Sequence, residues 1–111
     1  MLSQDALIHV TTREEWEGTG PSSRYFPSGF DREGFIHCCS RFQLERVLHD
    51  HFTTQDQVLL LVLERSLVLA DIRYERAANG DEYPHIYGPI ESKAVMQSLS
   101  VFRVDGKWQL P

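Results

Sequence analysis

Basic residues are scarce in this chain. Eleven Lys and Arg stand against sixteen Asp and Glu, a formal net charge of −5 with histidine neutral. No two basic residues are adjacent, which argues against general nucleic-acid binding. Any phosphate pocket has to be built locally. Long apolar runs are missing too. The longest aliphatic stretch, Val58 to Leu63, has six residues, against the roughly 20 that a membrane helix needs. The N-terminal MLSQDALIHV lacks the basic and apolar regions of a secretory signal. Cysteine is confined to the adjacent pair Cys38 and Cys39. Strand neighbours point to opposite faces, so a disulfide between them would be strained. A reducing, cytoplasmic setting is therefore expected. Zinc-type CxxC and HxxxH spacings are also missing, and no metal is expected. Repeats, low-complexity segments and linkers do not occur.

What remains is an ordinary globular composition. Of the 111 residues, 41% are hydrophobic and 24% charged. That is one domain, residues 1–111, able to bury roughly two-thirds of its unfolded surface. Leu7 to Thr11 reads as a strand. Thr12 with Glu15 forms a capping box that opens a helix from Arg13 to about Gly18, ended by Gly18, Gly20 and Pro21. Ser22 to Glu33 reads as an ordered loop with one short strand, and Gly34 to Cys38 as a strand. Ser40 with Gln43 is a second capping box, opening a helix from Arg41 to about Phe52. Val58 to Leu63 is the candidate central strand, covered on both faces. A strand is expected within Leu67 to Glu75, a turn around Asn79-Gly80, a short helix or turn at Glu91 to Gln97, and a strand at Leu99 to Val104. Asp105-Gly106 is a hairpin turn. Two early helices and a late antiparallel sheet make the class α+β.

The chain holds five histidines. His49 and His51 sit at a helix end, where a cationic side chain complements the dipole, and both read as structural. The other three lie in strand-like segments. His9 is central in Leu7 to Thr11. If it shares a face with Thr11, the two line a cleft while Ile8 and Val10 face the core. His37 lies just before Ser40, whose helix N-terminus offers free N–H groups suited to phosphate. Capping alone accounts for Ser40, but not for the histidine upstream. His85 and Tyr87 share a face of an extended segment, a pairing suited to ring stacking and hydrogen bonding. A proline-bounded loop that only fills a core is the plain alternative.

The stretches IHVTTREEW, GFIHCCSRFQ and YPHIYGPI resemble the family named domain of unknown function 952. The resemblance runs from about Leu7 to Val104. Cys39 stands where that family usually has Ser, and Ser40 where it often has Thr. It implies a fold similar to the ADP-ribosyltransferase superfamily, in the RNA 2′-phosphotransferase branch: a split, mostly antiparallel sheet whose cleft holds NAD. By position, it implies that His9 contacts a ribose, that His37 with Phe35 lines the second strand, and that His85 and Tyr87 border the nicotinamide end. Glu75 is its candidate late acidic group. The implied cofactor is NAD or an ADP-ribose-like nucleotide. The candidate catalytic residues are His37, His9 and Glu75. The candidate binding residues are His9, Thr11, Phe35, His37, Ser40, His85 and Tyr87. Arg13, Arg24 and Arg41 are candidate pyrophosphate partners. Two other readings stand beside transfer chemistry: a non-catalytic ligand- or partner-binding module, and histidine acid–base chemistry with Cys38 or Cys39 as nucleophile.

Overall fold

A computed structural model describes residues 2–18 and 24–111. In chain order its elements are β1 (Leu7–Thr11), α1 (Arg13–Glu17), β2 (Arg24–Tyr25), α2 (Phe30–Glu33), β3 (Ile36–His37) and α3 (Leu44–His51). Then follow β4 (Gln57–Leu63), β5 (Ile72–Arg76), β6 (Glu82–Ile86), β7 (Ile90–Glu91), β8 (Val95–Val104) and β9 (Lys107–Trp108), with 3-10 turns at Arg65–Leu67 and Ser92–Ala94. The architecture is α+β, and the strand pairs are antiparallel. A larger sheet has the order β1-β4-β8-β9, a smaller one β3-β6-β5, and β2 pairs with β7.

The aliphatic run in β4 needs burial on both faces, and the fold supplies it. Leu59, Leu61 and Leu63 enter one core with Leu7, Tyr25, Ile36 and Ile86. Val58 and Leu60 enter a second core with Ile8, Val10 and Val101, closed by Leu44 and Leu48 of α3. Leu44 and Leu48 are one helical turn apart, so they share a face. Each buried aliphatic side chain contributes roughly 1.5–3 kcal/mol.

The two larger sheets meet at a seam. The chain leaves β3 and crosses to β1, where Ile8 and Cys39 exchange backbone hydrogen bonds of 2.9 and 2.8 Å. One residue earlier, the Cys38 N–H still donates to the Pro84 carbonyl of β6. A two-residue step thus ties the small sheet to the edge of the large one.

Several expectations need correction. The N-terminal half holds three α-helices rather than two, because Phe30–Glu33 forms a short helix inside the expected loop. Gly34 ends it at φ +81, in the left-handed region, which shortens the expected strand to Ile36–His37. The Ser40–Gln43 capping box forms, but around a turn, and α3 starts only at Leu44. Strand β8 begins at Val95, ahead of the expected Leu99. The expected helix-enders Gly20 and Pro21 lie outside the described residues.

Candidate functional site

The small sheet builds a cluster by register alone. His37 pairs directly with His85, and His85 with Arg73. Directly paired residues share a face, as do residues two apart on one strand. Phe35, His37, Arg73, Glu75, His85 and Tyr87 therefore gather on the face turned away from Ile36 and Ile86. The rings confirm it. Phe35 stacks on His85 at 4.1 Å between centroids and 16° between planes. His37 meets both rings edge-on, at 4.8 Å and 5.2 Å. The Arg73 guanidinium lies 4.3 Å from the Tyr87 ring centroid.

Each of these histidines has its own carboxylate. His37 Nε2 lies 2.8 Å from Glu33, at the end of α2. His85 Nδ1 lies 2.7 Å from Glu75, and the same carboxylate oxygen accepts from the Tyr87 hydroxyl. Tyr87 and then His85 hold Glu75 below the ordinary carboxylate range. His37 does the same for Glu33.

His9 has a different place. Leu7, Ile8, His9, Val10 and Thr11 are all buried, because β1 is covered on both faces. The His9 ring spans the seam. Its Nδ1 lies 2.6 Å from the His37 carbonyl oxygen and its Nε2 lies 3.1 Å from the Tyr25 hydroxyl. A carbonyl only accepts, so Nδ1 carries the proton. Tyr25 then donates to Nε2, and its oxygen accepts from the Thr11 hydroxyl at 3.0 Å. His9 and Thr11 do share a face, as the alternation predicted, but that face is filled by Tyr25. Burial pulls His9 down to about 4 and pushes Tyr25 up to about 12. The imidazole is neutral at physiological pH, with both nitrogens engaged.

A cleft of about 630 Å³ opens beside this seam. Phe35, His37 and Glu33 form one wall. Val47, Asp50, His51 and Phe52 of the α3 end form another, and Ala77 to Asn79 with Tyr83 a third. His9, Cys38 and Cys39 reach its floor. Burial raises both thiols, Cys39 to about 12, so neither is a ready nucleophile. Phe35 and His37 belong to both cleft and cluster, whereas Glu75, His85 and Tyr87 lie on the cluster alone.

Ser40 lies elsewhere, at a smaller hollow of about 170 Å³ beside Arg65 and Tyr74. Its N–H is held by Gln43. The amides of Phe42, Gln43 and Leu44 donate to Gln4, Ser40 and Arg41, so this helix start has few free donors to offer. Arg13 binds Glu17 and Ser100, Arg24 lies over Phe26, and Arg41 binds the Pro111 carbonyl. None of the three lines the cleft. No group of three His, Cys, Asp or Glu among the described residues is placed to hold a metal ion.

Sequence reasoning missed Tyr25, Glu33, Asp50, His51 and Tyr83. A signal existed for two of them: Val47, Asp50 and His51 follow the i, i+3, i+4 spacing of one helix face. His51, read as a helix-end residue, therefore lines the cleft, while His49 is 83% exposed against Asp50. Tyr25 sat in an aperiodic loop that gave no such signal.

A split arrangement of two antiparallel sheets, with a cleft at their seam, defines the class of domain. The match to the family model described as "Protein of unknown function (DUF952)" covers residues 10–98, and the chain belongs to that family. Its fold is similar to that of the Caulobacter crescentus protein CC0527, a structural genomics target. The crystal structure of that protein matches at 21% identity and a TM-score of 0.81, over 92% of this chain and 90% of that one. Its solution NMR structure matches at 21% identity and 0.77, over 93% and 90%. No curated protein matches the chain. No helix among the described residues is long and apolar enough to cross a membrane.

Proposed function

We propose that this protein binds a ring-bearing, nucleotide-type ligand of the NAD or ADP-ribose class, and that ADP-ribosyl or related group transfer is the reaction such binding serves. One observation carries the reading: the Phe35 ring, backed by His85 and flanked by the His37–Glu33 pair, at the wall of a cleft of about 630 Å³. That size suits a ligand larger than a lone ring. The ADP-ribosyltransferase-like fold belongs to this proposal. Its support is the split between the two sheets, with a first-strand histidine at the seam. In this reading Phe35 stacks the ligand ring. His37 and Glu33 address sugar hydroxyls or move a proton. Glu75, kept ionised by Tyr87 and His85, supplies negative charge on the neighbouring face. His9 acts as a positioning residue that fixes the His37 carbonyl. The two unpaired thiols fit a reducing, cytoplasmic setting.

The fit to a dinucleotide is partial. The cleft offers a platform for a ring, but no Lys or Arg lines it among the described residues. That fact favours a second reading, a binding module without turnover on the same fold.

Titration calorimetry with NAD, ADP-ribose and a 2′-phosphorylated nucleotide tests binding. Saturable heat with at least one is the expected result, weakened on the order of tenfold by Phe35→Ala. No heat at millimolar concentration defeats the reading. Release of nicotinamide from NAD, lost in His37→Ala with the melting temperature unchanged, separates an enzyme from a module.

A further inference from the structure

The charges in the cleft narrow the class of ligand. Glu33 and Asp50 both line the cleft, no Lys or Arg does among the described residues, and the other titratable side chains of the lining are His9, His37, His51, Tyr83 and the two thiols. Both carboxylates are held below their ordinary range, Glu33 by His37 and Asp50 by His49 and then Arg46. The Arg46 and His49 side chains are 61% and 83% exposed, and neither lines the cleft. The buried thiols are uncharged. Apart from the histidines and Asn79, the rest of the lining is aromatic or apolar, with Phe35, Phe52 and Tyr83 presenting rings and Val10 and Val47 aliphatic surface.

A pyrophosphate there would set its negative charges beside two carboxylates, with only histidines and no Lys or Arg in the lining to answer them. Rings with a carboxylate beside them are instead the chemistry that recognises an organic cation. From the walls and charges together, we infer that the cleft selects a cationic ring or a ring-bearing ammonium, its charge directed to Glu33 and Asp50 and its apolar body against Phe35 and Tyr83. This rests on the reading that the cleft binds a ring at all. A phosphate-bearing ligand can be held only with its phosphates outside the cleft.

Three pyridine rings that differ in charge test the inference on the full chain. They are 1-methylnicotinamide, a cation; nicotinamide, uncharged; and nicotinate, an anion. Each is titrated at pH 8, above the ordinary range of histidine, with amide shifts of Phe35, His37 and Tyr83 as the readout. The expected order is cation tightest and anion weakest, with a spread on the order of tenfold or more. Glu33→Gln should shrink the preference for the cation while the amide spectrum stays folded. Equal affinities, or nicotinate binding tightest, overturn the inference and leave ring binding standing. A preference that survives intact in both Glu33→Gln and Asp50→Asn overturns it as well. If none of the three shifts these amides, ring binding fails along with it.

Discussion

The His9 imidazole joins two sheets through one proton and one lone pair. Its Nδ1–H satisfies the His37 carbonyl, and its Nε2 takes the Tyr25 hydroxyl. Replacing it with Ala leaves both partners buried without a mate and opens a cavity. His9→Ala should cost about 2–4 kcal/mol in urea unfolding. Tyr25→Phe removes only the hydroxyl but strips a partner from both His9 and Thr11, so about 1–3 kcal/mol is expected. The sign of the pH effect follows from the lowered His9 value. Above 6.5 neither folded nor unfolded chain protonates the ring. Between 6.5 and about 4 the unfolded chain takes a proton that the folded one refuses, so stability falls with pH across that window. The loss attributable to His9 is about 3 kcal/mol. Ring-nitrogen NMR at pH 5.5 should show a neutral His9 with its proton on Nδ1. A ring titrating near 6.5 would contradict the network. The sequence marked His9 through its place in an apolar strand, and its pairing with Thr11 on one face was legible. The partner that fills that face was not, because Tyr25 comes from a loop without periodicity.

At the scale of elements, long apolar patterns were readable and short or exposed ones were not. Val58 to Leu63 announces a strand covered twice, and β4 is that strand. Leu60→Ala removes a fully buried side chain between β1 and β8 and should cost about 2–5 kcal/mol by the same unfolding measurement. Helix α2 has four residues, too few for a 3.6-residue period to show. The start of β8 was hidden because Met96, Gln97 and Ser98 are exposed, so no apolar alternation marks them. The turns were legible by their chemistry: Asn79-Gly80 and Asp105-Gly106 both carry the positive φ expected of them, at Gly80, Asp105 and Gly106. Gly88 carries a different constraint. A Cβ there would sit 2.6 Å from the Ala70 Cβ, so Gly88→Ala should lower stability by about 1–3 kcal/mol and displace the Tyr87 side of the cluster.

At the scale of the whole molecule, the scarcity of basic residues acquires a location. Five more acidic than basic residues could have been spread evenly, with arginines gathered at one pocket. Instead Arg13, Arg24 and Arg41 lie away from the cleft, and Glu33 and Asp50 line it. The sequence placed His37, Phe35, His85 and Tyr87 in separate segments. The register of β3, β6 and β5 makes them one surface with Glu75. Glu75 was offered only through the family resemblance, and both His85 and Tyr87 bond to it. Ser40 shows the opposite case, since its motif was readable and its capping bonds form, but outside the lining of the cleft. Cap chemistry is local and travels with the sequence. Which residues share a cleft depends on how the sheets meet, and no local pattern encodes that. The central claim is that this seam cleft is a ligand site of the nucleotide type. An amide NMR titration of the labelled chain with NAD at millimolar concentration tests it most directly. The account predicts saturable shifts at Phe35, His37, Tyr83 and the end of α3, with those outside position 35 saturating at about tenfold higher NAD in Phe35→Ala. Shifts confined to other faces, or none at all, would contradict it.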